Sequence, residues 1–176
     1  IQAPAASGYP LEITDAAPVR GRAGCAVFSV RVVRGIDPTR PTPPWMASRL
    51  RLAGIRSISL AVDISNYVML ELGAPNHAYD LDKVDAGGLI VRRATQGEQL
   101  ETLDGKVRTL DAEDLVVADA ERALGIAGVM GGAYSELSDT TRDVLIEAAI
   151  WDPITVARSV RRHKLPSEAA KRNERG

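Results

Sequence analysis

Two histidines, one cysteine and one oddly placed glutamate are the side chains of this 176-residue sequence best placed to do chemistry. Glu147 interrupts Val144-Leu145-Ile146-Glu147-Ala148-Ala149-Ile150, a run that otherwise reads as core. Burying a carboxylate is costly unless it is paired or hydrogen-bonded. On a strand, Glu147 shares a face with Leu145 and Ala149. That face is either solvated or part of a pocket, where the carboxylate accepts from a ligand hydroxyl or amine. His77 lies in Gly73-Ala74-Pro75-Asn76-His77-Ala78-Tyr79-Asp80, read as a loop leaving a helix, with Asp80 or Asp82 placed to orient the ring. It is either a site histidine or a surface or capping one. Gly125, Gly128, Gly131 and Gly132 allow close approach of a ligand or of another backbone, and their amides can face an anion. The spacing is not G-x-G-x-x-G and no Lys-Ser/Thr follows, so a dinucleotide loop is excluded. A tight strand crossing and a ligand-facing wall both remain open. His163, among Arg161, Arg162 and Lys164, reads as a surface residue, and Cys25 as a small core residue with no base beside it.

Those residues need elements to hold them. Leu11 to Thr14 reads as a short strand, and Cys25 to Val33 alternates apolar and polar residues as a half-buried strand does. Pro44 suits the first turn of a helix through Trp45, Met46, Leu50 and Leu52, stopped near Gly54. Leu60 to Leu72 reads as a second helix, with Ser59 or Asp63 at its start and Gly73 as terminator. Short strands follow at Leu89 to Arg93 and Leu115 to Ala118, with a hairpin between them in which Asp104-Gly105 predicts a two-residue turn with both residues at positive φ. Val144 to Ile150 reads as buried. Asp152-Pro153 opens a last helix through Ile154, Val156, Val160 and His163. Strands and helices mix without regular βαβ spacing, which points to α+β rather than a doubly wound sheet.

Composition bounds the partners. Hydrophobic residues make up 45% and charged residues 26%, which is ordinary for a globular domain and argues against disorder. One cysteine excludes an internal disulfide and a cysteine-cluster zinc site, and fits a reducing compartment. No apolar stretch is long enough to span a membrane. Aromatic residues are only 4%, with Phe28 the single phenylalanine, so stacking platforms for bases are nearly excluded. Net charge is −1, yet residues 158–176 hold seven Lys or Arg against Glu168 and Glu174. That stretch is either a phosphate-contacting edge or a solvated helix face. Ile1 and the closing Glu174-Arg175-Gly176 read as edges of a segment cut from a longer chain.

Gly54-Ile55-Arg56-Ser57-Ile58, Val62 to Gly73, Pro75 to Asp80, Leu103-Asp104-Gly105, Ala127 to Gly132, Leu145 to Ala149 and Glu174-Arg175-Gly176 occur in a characteristic order and spacing. Over about Cys25 to Gly176 this set resembles the tRNA-editing (B3/B4) domain of the bacterial phenylalanyl-tRNA synthetase beta subunit. The resemblance implies a single compact α+β domain, residues 25–176, with a β-sandwich-like layer flanked by helices. Residues 1–24 carry no matching motif and form an unassigned lead-in. It further implies hydrolysis of tyrosine wrongly esterified to the phenylalanine tRNA, a discrimination that a hydrophobic pocket alone makes poorly. Partners implied are the tRNA 3′ end carrying tyrosine, the rest of the beta subunit and the alpha subunit, in the cytoplasm and with no membrane.

By the same resemblance, Glu147 accepts the tyrosine phenol, and His77 positions the substrate or a water beside the ester. Ser65 and Asn66 are pocket residues, with Ser65 where the family usually has Thr. Gly128, Gly131 and Gly132 form a wall against the amino acid, and Ser167 and Ala169 a small-residue strip. No cofactor or metal is implied in this domain; ATP and Mg belong to the parent enzyme's synthetic site. Pro166 to Ala170, Lys171 and Asn173 depart from the family's usual residues. Two alternatives carry different functions: a non-catalytic tRNA-docking or structural module of the same synthetase, and a free-standing relative that binds another small aminoacyl or nucleoside ligand.

Overall fold

Glu147 sits on the middle strand of a three-stranded antiparallel sheet, in a computed structural model that describes residues 8–15 and 18–175. That strand is β10 (Val144–Trp151), paired on one side with β2 (Cys25–Val33) and on the other with β3 (Asn76–Asp80). The register sets Glu147 opposite Val30 and opposite His77. Residues 76–80 are thus a strand and not the expected loop. Asn, His and Asp disfavour strands locally, and pairing with β10 overrides that preference. The alternation on β10 is one-sided: Leu145 and Glu147 are buried while Ala148 and Ile150 face outward. Glu147 does share its face with Leu145, and that face is interior, so the solvated alternative is ruled out.

The chain reaches β3 through two helices. Pro44 occupies the first turn of α1 (Pro44–Leu52), as its fixed φ favours. Helix α2 (Leu60–Leu72) has Ser59 at its N-cap without a side-chain bond. The fully buried Asp63 instead fixes the connection, accepting from Thr42 Oγ1 at 2.5 Å, from the Ile58 N–H at 2.9 Å and from Ser57 Oγ. Gly73 ends α2 at φ 71°, in the left-handed region that glycine enters freely, and Pro75 blocks continuation.

A second sheet has the strand order β1-β4-β7-β8-β9: β1 (Leu11–Ile13), β4 (Leu89–Arg93), β7 (Leu115–Ala118), β8 (Ala123–Ile126) and β9 (Met130–Gly131). Every residue of β7 and β8 is buried, so this sheet is covered on both faces there. The described part of the lead-in is built into the body. Strand β1 runs parallel to β4, and the Asp15 carboxylate takes Arg93 Nε at 2.6 Å and the Gly24 N–H at 2.7 Å. Residues 1–7 of the lead-in lie outside the described residues.

Strands β5 (Gln99–Glu101) and β6 (Val107–Thr109) form the hairpin around Asp104-Gly105. Its turn differs from the expected one: only Gly105 has positive φ, at 72°, and its N–H donates to Thr102 C=O at 2.8 Å. Helix α3 (Pro153–His163) starts as expected, with Asp152 Oδ2 accepting the Thr155 N–H at 2.8 Å. A short helix, α4 (Glu168–Asn173), capped by Ser167, follows where no element was expected. Buried side chains of both sheets and both C-terminal helices, among them Phe28, Tyr79, Leu145, Val117 and Val156, form one core.

Candidate functional site

The register of β3 and β10 puts three polar side chains on one interior face. His77 and Glu147 are direct cross-strand neighbours, and Tyr79 follows His77 by two residues, hence on the same side. The Tyr79 hydroxyl donates to Glu147 Oε2, and the Tyr79 ring meets the His77 ring edge-on at 4.5 Å between centroids. Tyr79 is buried and Glu147 only 7% exposed. Among the described residues, Oε1 of Glu147 has no hydrogen-bond partner, and the buried Nε2 of His77 has none either.

A cavity of about 180 Å³ opens against this row. The glycine-rich segment, from Gly125 through Gly131, also lines it, together with Trp151, Ala169 and Asn173. A Cβ on Gly131 would overlap His77 Nε2 and Cε1, so the absence of a side chain there is what lets the two sheets meet. Gly128, at φ 69°, is pinned by Asn173 Nδ2 donating to its C=O at 2.9 Å. Gly132 instead packs backbone to backbone, its N–H donating to Leu124 C=O at 2.6 Å. All three are therefore tight crossings: a side chain would meet Trp151 and Val156 at Gly128, His77 at Gly131 and the Leu124 backbone at Gly132, while Gly128 and Gly131 also line the cavity with their backbone.

Burial sets the electrostatics. It pushes Glu147 up to about 7, with the Tyr79 hydrogen bond pulling the other way. It pulls His77 down to about 4, so the imidazole is neutral at neutral pH. Tyr79 is raised well above its ordinary value by burial and then by the Glu147 charge. Cys25 rises to about 11, again by burial first and Glu147 second, which makes it an inert core thiol.

The remaining expected site residues are placed unevenly. Ala169 lines the cavity, whereas Ser65, Asn66, Gly132 and Ser167 do not. Ser65 supports the wall: its C=O accepts from Asn76 Nδ2 at 3.2 Å, and Asn76 reaches the cavity. Ser167 caps α4 and donates to Val129 C=O at 2.5 Å, holding that helix on the glycine segment. Asn66 is half-buried on α2. Asp80 does not orient His77; an odd spacing turns it to the other side of β3, where it accepts Thr141 Oγ1 at 2.7 Å. Tyr79, Asn76, Trp151 and Asn173 were not expected at the cavity. The alternation from His77 to Tyr79 was the one available signal, hidden by reading the segment as a loop.

His163 is also not a surface residue. Its Nε2 lies 2.7 Å from Oδ2 of the fully buried Asp114. Of the basic residues near the C-terminus, Arg158 and Arg162 pair with Glu113, and Lys171 and Arg172 with Glu168. Among the described residues, no three His, Cys, Asp or Glu side chains are placed to hold a metal, and no helix is long and apolar enough to cross a membrane.

An antiparallel sheet and a mixed sheet with a small polar-floored cavity at their junction define an α+β domain. The same fold occurs in an N-terminal fragment of the phenylalanyl-tRNA synthetase beta subunit from Pyrococcus horikoshii, with a TM-score of 0.58 at 12% identity over 90% of this chain and 50% of that one. Residues 24–176 match the B3/4 domain model, and the chain belongs to that family. It is similar to phenylalanine–tRNA ligase beta subunits of Leifsonia xyli subsp. xyli (61% identity over 98% of this chain and 20% of that protein) and Bifidobacterium longum (54%, 94% and 20%). The chain spans about a fifth of the length of these relatives.

Proposed function

We propose that this chain is the editing segment of a phenylalanine–tRNA ligase beta subunit and hydrolyses tyrosine wrongly esterified to tRNA(Phe). The observation that carries this reading is the unpartnered Oε1 of buried Glu147 on a cavity of about 180 Å³. An apolar cavity of roughly 150 Å³ holds one benzene ring, so this one is the size of a phenol. A phenol donating to Oε1 satisfies both groups, while a phenyl ring leaves the carboxylate desolvated and unpaired.

The ester is already activated by its ribose. Water adds to the carbonyl carbon, the C–O bond to the ribose breaks, and the released ribose oxygen takes up a proton. Neutral His77, across the strand pair from Glu147, lines the cavity with its Nε2 buried against Gly131, so its ring serves to position the substrate or a water beside the ester. With most C-terminal basic residues paired internally, the rest of the beta subunit and the alpha subunit supply most of the grip on tRNA. ATP and Mg act in that parent enzyme's synthetic site, and the complex works in the cytoplasm.

The test is deacylation of Tyr-tRNA(Phe) and Phe-tRNA(Phe) by the assembled enzyme that contains this chain. Preferential release of tyrosine, lost in Glu147→Ala, is expected. Survival of the tyrosyl ester in the presence of the unaltered enzyme refutes the reading.

A further inference from the structure

Glu147 already holds a phenol. The hydroxyl that occupies Oε2 belongs to Tyr79, whose ring is 1% exposed and clamped edge-on against His77. No other hydrogen bond of that hydroxyl occurs among the described residues. A carboxylate bound through one oxygen has its plane and rotamer fixed, and the second oxygen is then aimed rather than free to rotate. Here the second oxygen is the one without a partner, on a side chain that lines the cavity. We propose that Tyr79 is the positioning residue of this site: its phenol holds Oε2 of Glu147 so that Oε1 is presented to a ligand phenol. One carboxylate is thereby shared between an internal and an incoming hydroxyl. The proposal rests on the editing reading above and adds to it the residue that sets specificity without touching the reacting ester.

The titratable groups facing Glu147 are few. His77 and Tyr79 come from β3 and Cys25 from β2, while the glycine wall and Asn173 bring none to the cavity. His77 is neutral and Cys25 protonated near neutral pH, so Tyr79 is the group that tunes the carboxylate. Its hydrogen bond favours the ionised form, which is the form that accepts a phenol. Removing the hydroxyl therefore favours the protonated carboxyl and moves the onset of tyrosine preference to higher pH.

The experiment uses the assembled alpha–beta enzyme and follows Tyr-tRNA(Phe) and Phe-tRNA(Phe) deacylation across pH. In Tyr79→Phe the Tyr-over-Phe preference at neutral pH falls about 10-fold, and its pH midpoint rises by about one unit. A purely structural role for the hydroxyl instead lowers both rates at every pH and leaves the midpoint in place, which overturns the proposal. Replacement of Tyr79 by 3-fluorotyrosine keeps the shape while making the phenol a stronger donor, and it must move the midpoint downward. An unmoved midpoint in the fluorinated enzyme overturns the proposal even if Tyr79→Phe is poorly folded. Unaltered enzyme that spares the tyrosyl ester refutes the editing reading and this inference together; tyrosine preference that Glu147→Ala abolishes and both Tyr79 changes leave alone refutes this inference only.

Discussion

Two interior sites in this domain each set a carboxylate beside a histidine, and they are built in opposite ways. Asp114 is saturated: it accepts Ser159 Oγ at 2.6 Å, Arg162 Nη1 at 2.6 Å, His163 Nε2 at 2.7 Å and the Asp111 N–H at 2.9 Å. Burial alone would raise it, but these donors outweigh burial and hold it below the ordinary carboxylate range. Glu147 has one donor, Tyr79, and burial wins. Its histidine neighbour contributes no hydrogen bond and has an unpartnered nitrogen of its own. A saturated network fastens α3 to the segment before β7; an unsaturated one, on a cavity, is a place for a ligand.

Removing the acid is the strongest way to break this contrast. Asp114→Ala leaves the buried Ser159 and His163 without their acceptor, while Arg162 keeps Glu113, and is expected to cost about 3–5 kcal/mol of folding stability, since each buried group left unpaired costs roughly 1–3 kcal/mol. The urea midpoint of the chain measures it. In the assembled enzyme, the Tyr-over-Phe preference of any folded Asp114→Ala protein should be unchanged. A changed preference would mean that the two sites are one coupled system.

Glu147→Gln should act the other way round. It keeps the volume and removes the charge, so the chain stays folded and the tyrosine preference drops about 10- to 100-fold, the equivalent of a hydrogen bond to a charged group. Gly131→Ala sharpens the same point from the glycine segment. The added methyl would displace His77, and tyrosyl-ester hydrolysis should slow roughly 10-fold, or about 1.4 kcal/mol in the barrier. Equal rates would show that the His77 ring has room to move and that its position does not matter.

What could be read from the residues follows the range of the interactions. The ends of α2 and α3 were legible because Gly73, Pro75 and Asp152-Pro153 act within one turn of the chain. Glu147 stood out because a charge in an apolar run conflicts with its neighbours. Strand β3 was missed because Asn76-His77-Ala78-Tyr79-Asp80 has no strand preference of its own and is fixed by a partner nearly seventy residues away. The Asp114 network joins residues 45–49 positions apart, and its histidine looked exposed because its neighbours in sequence are basic. The same distance hid Trp151 and Asn173 at the cavity and Tyr79 on Glu147. Each was an ordinary residue until the register brought it there.

The comparison also fixes how stability responds to pH, and the effect is the smallest and most specific of these. The carboxyl of Glu147 sits at about 7 in the folded chain against an ordinary 4.5, so its contribution is complete below the unfolded value and is lost as pH rises through about 7. His77 sits at about 4 against an ordinary 6.5, so between those values the unfolded chain binds the extra proton and stability rises with pH. Over roughly pH 4.5 to 6.5 the two slopes oppose each other, and the unaltered pair contributes little net dependence. Each single substitution uncovers the slope of the group that remains. His77→Gln should make stability fall with pH by about 1 kcal/mol per unit, and Glu147→Gln should make it rise by a similar amount. Asp114 adds stability that is lost only as pH falls through the acid range, and it cancels when the two variants are compared at the same pH. Urea midpoints at about pH 5 and about pH 6.5 distinguish the cases. Parallel curves for the two variants would show that His77 and Glu147 are as fully solvated or as fully paired as any surface residue, and the contrast with Asp114 would collapse.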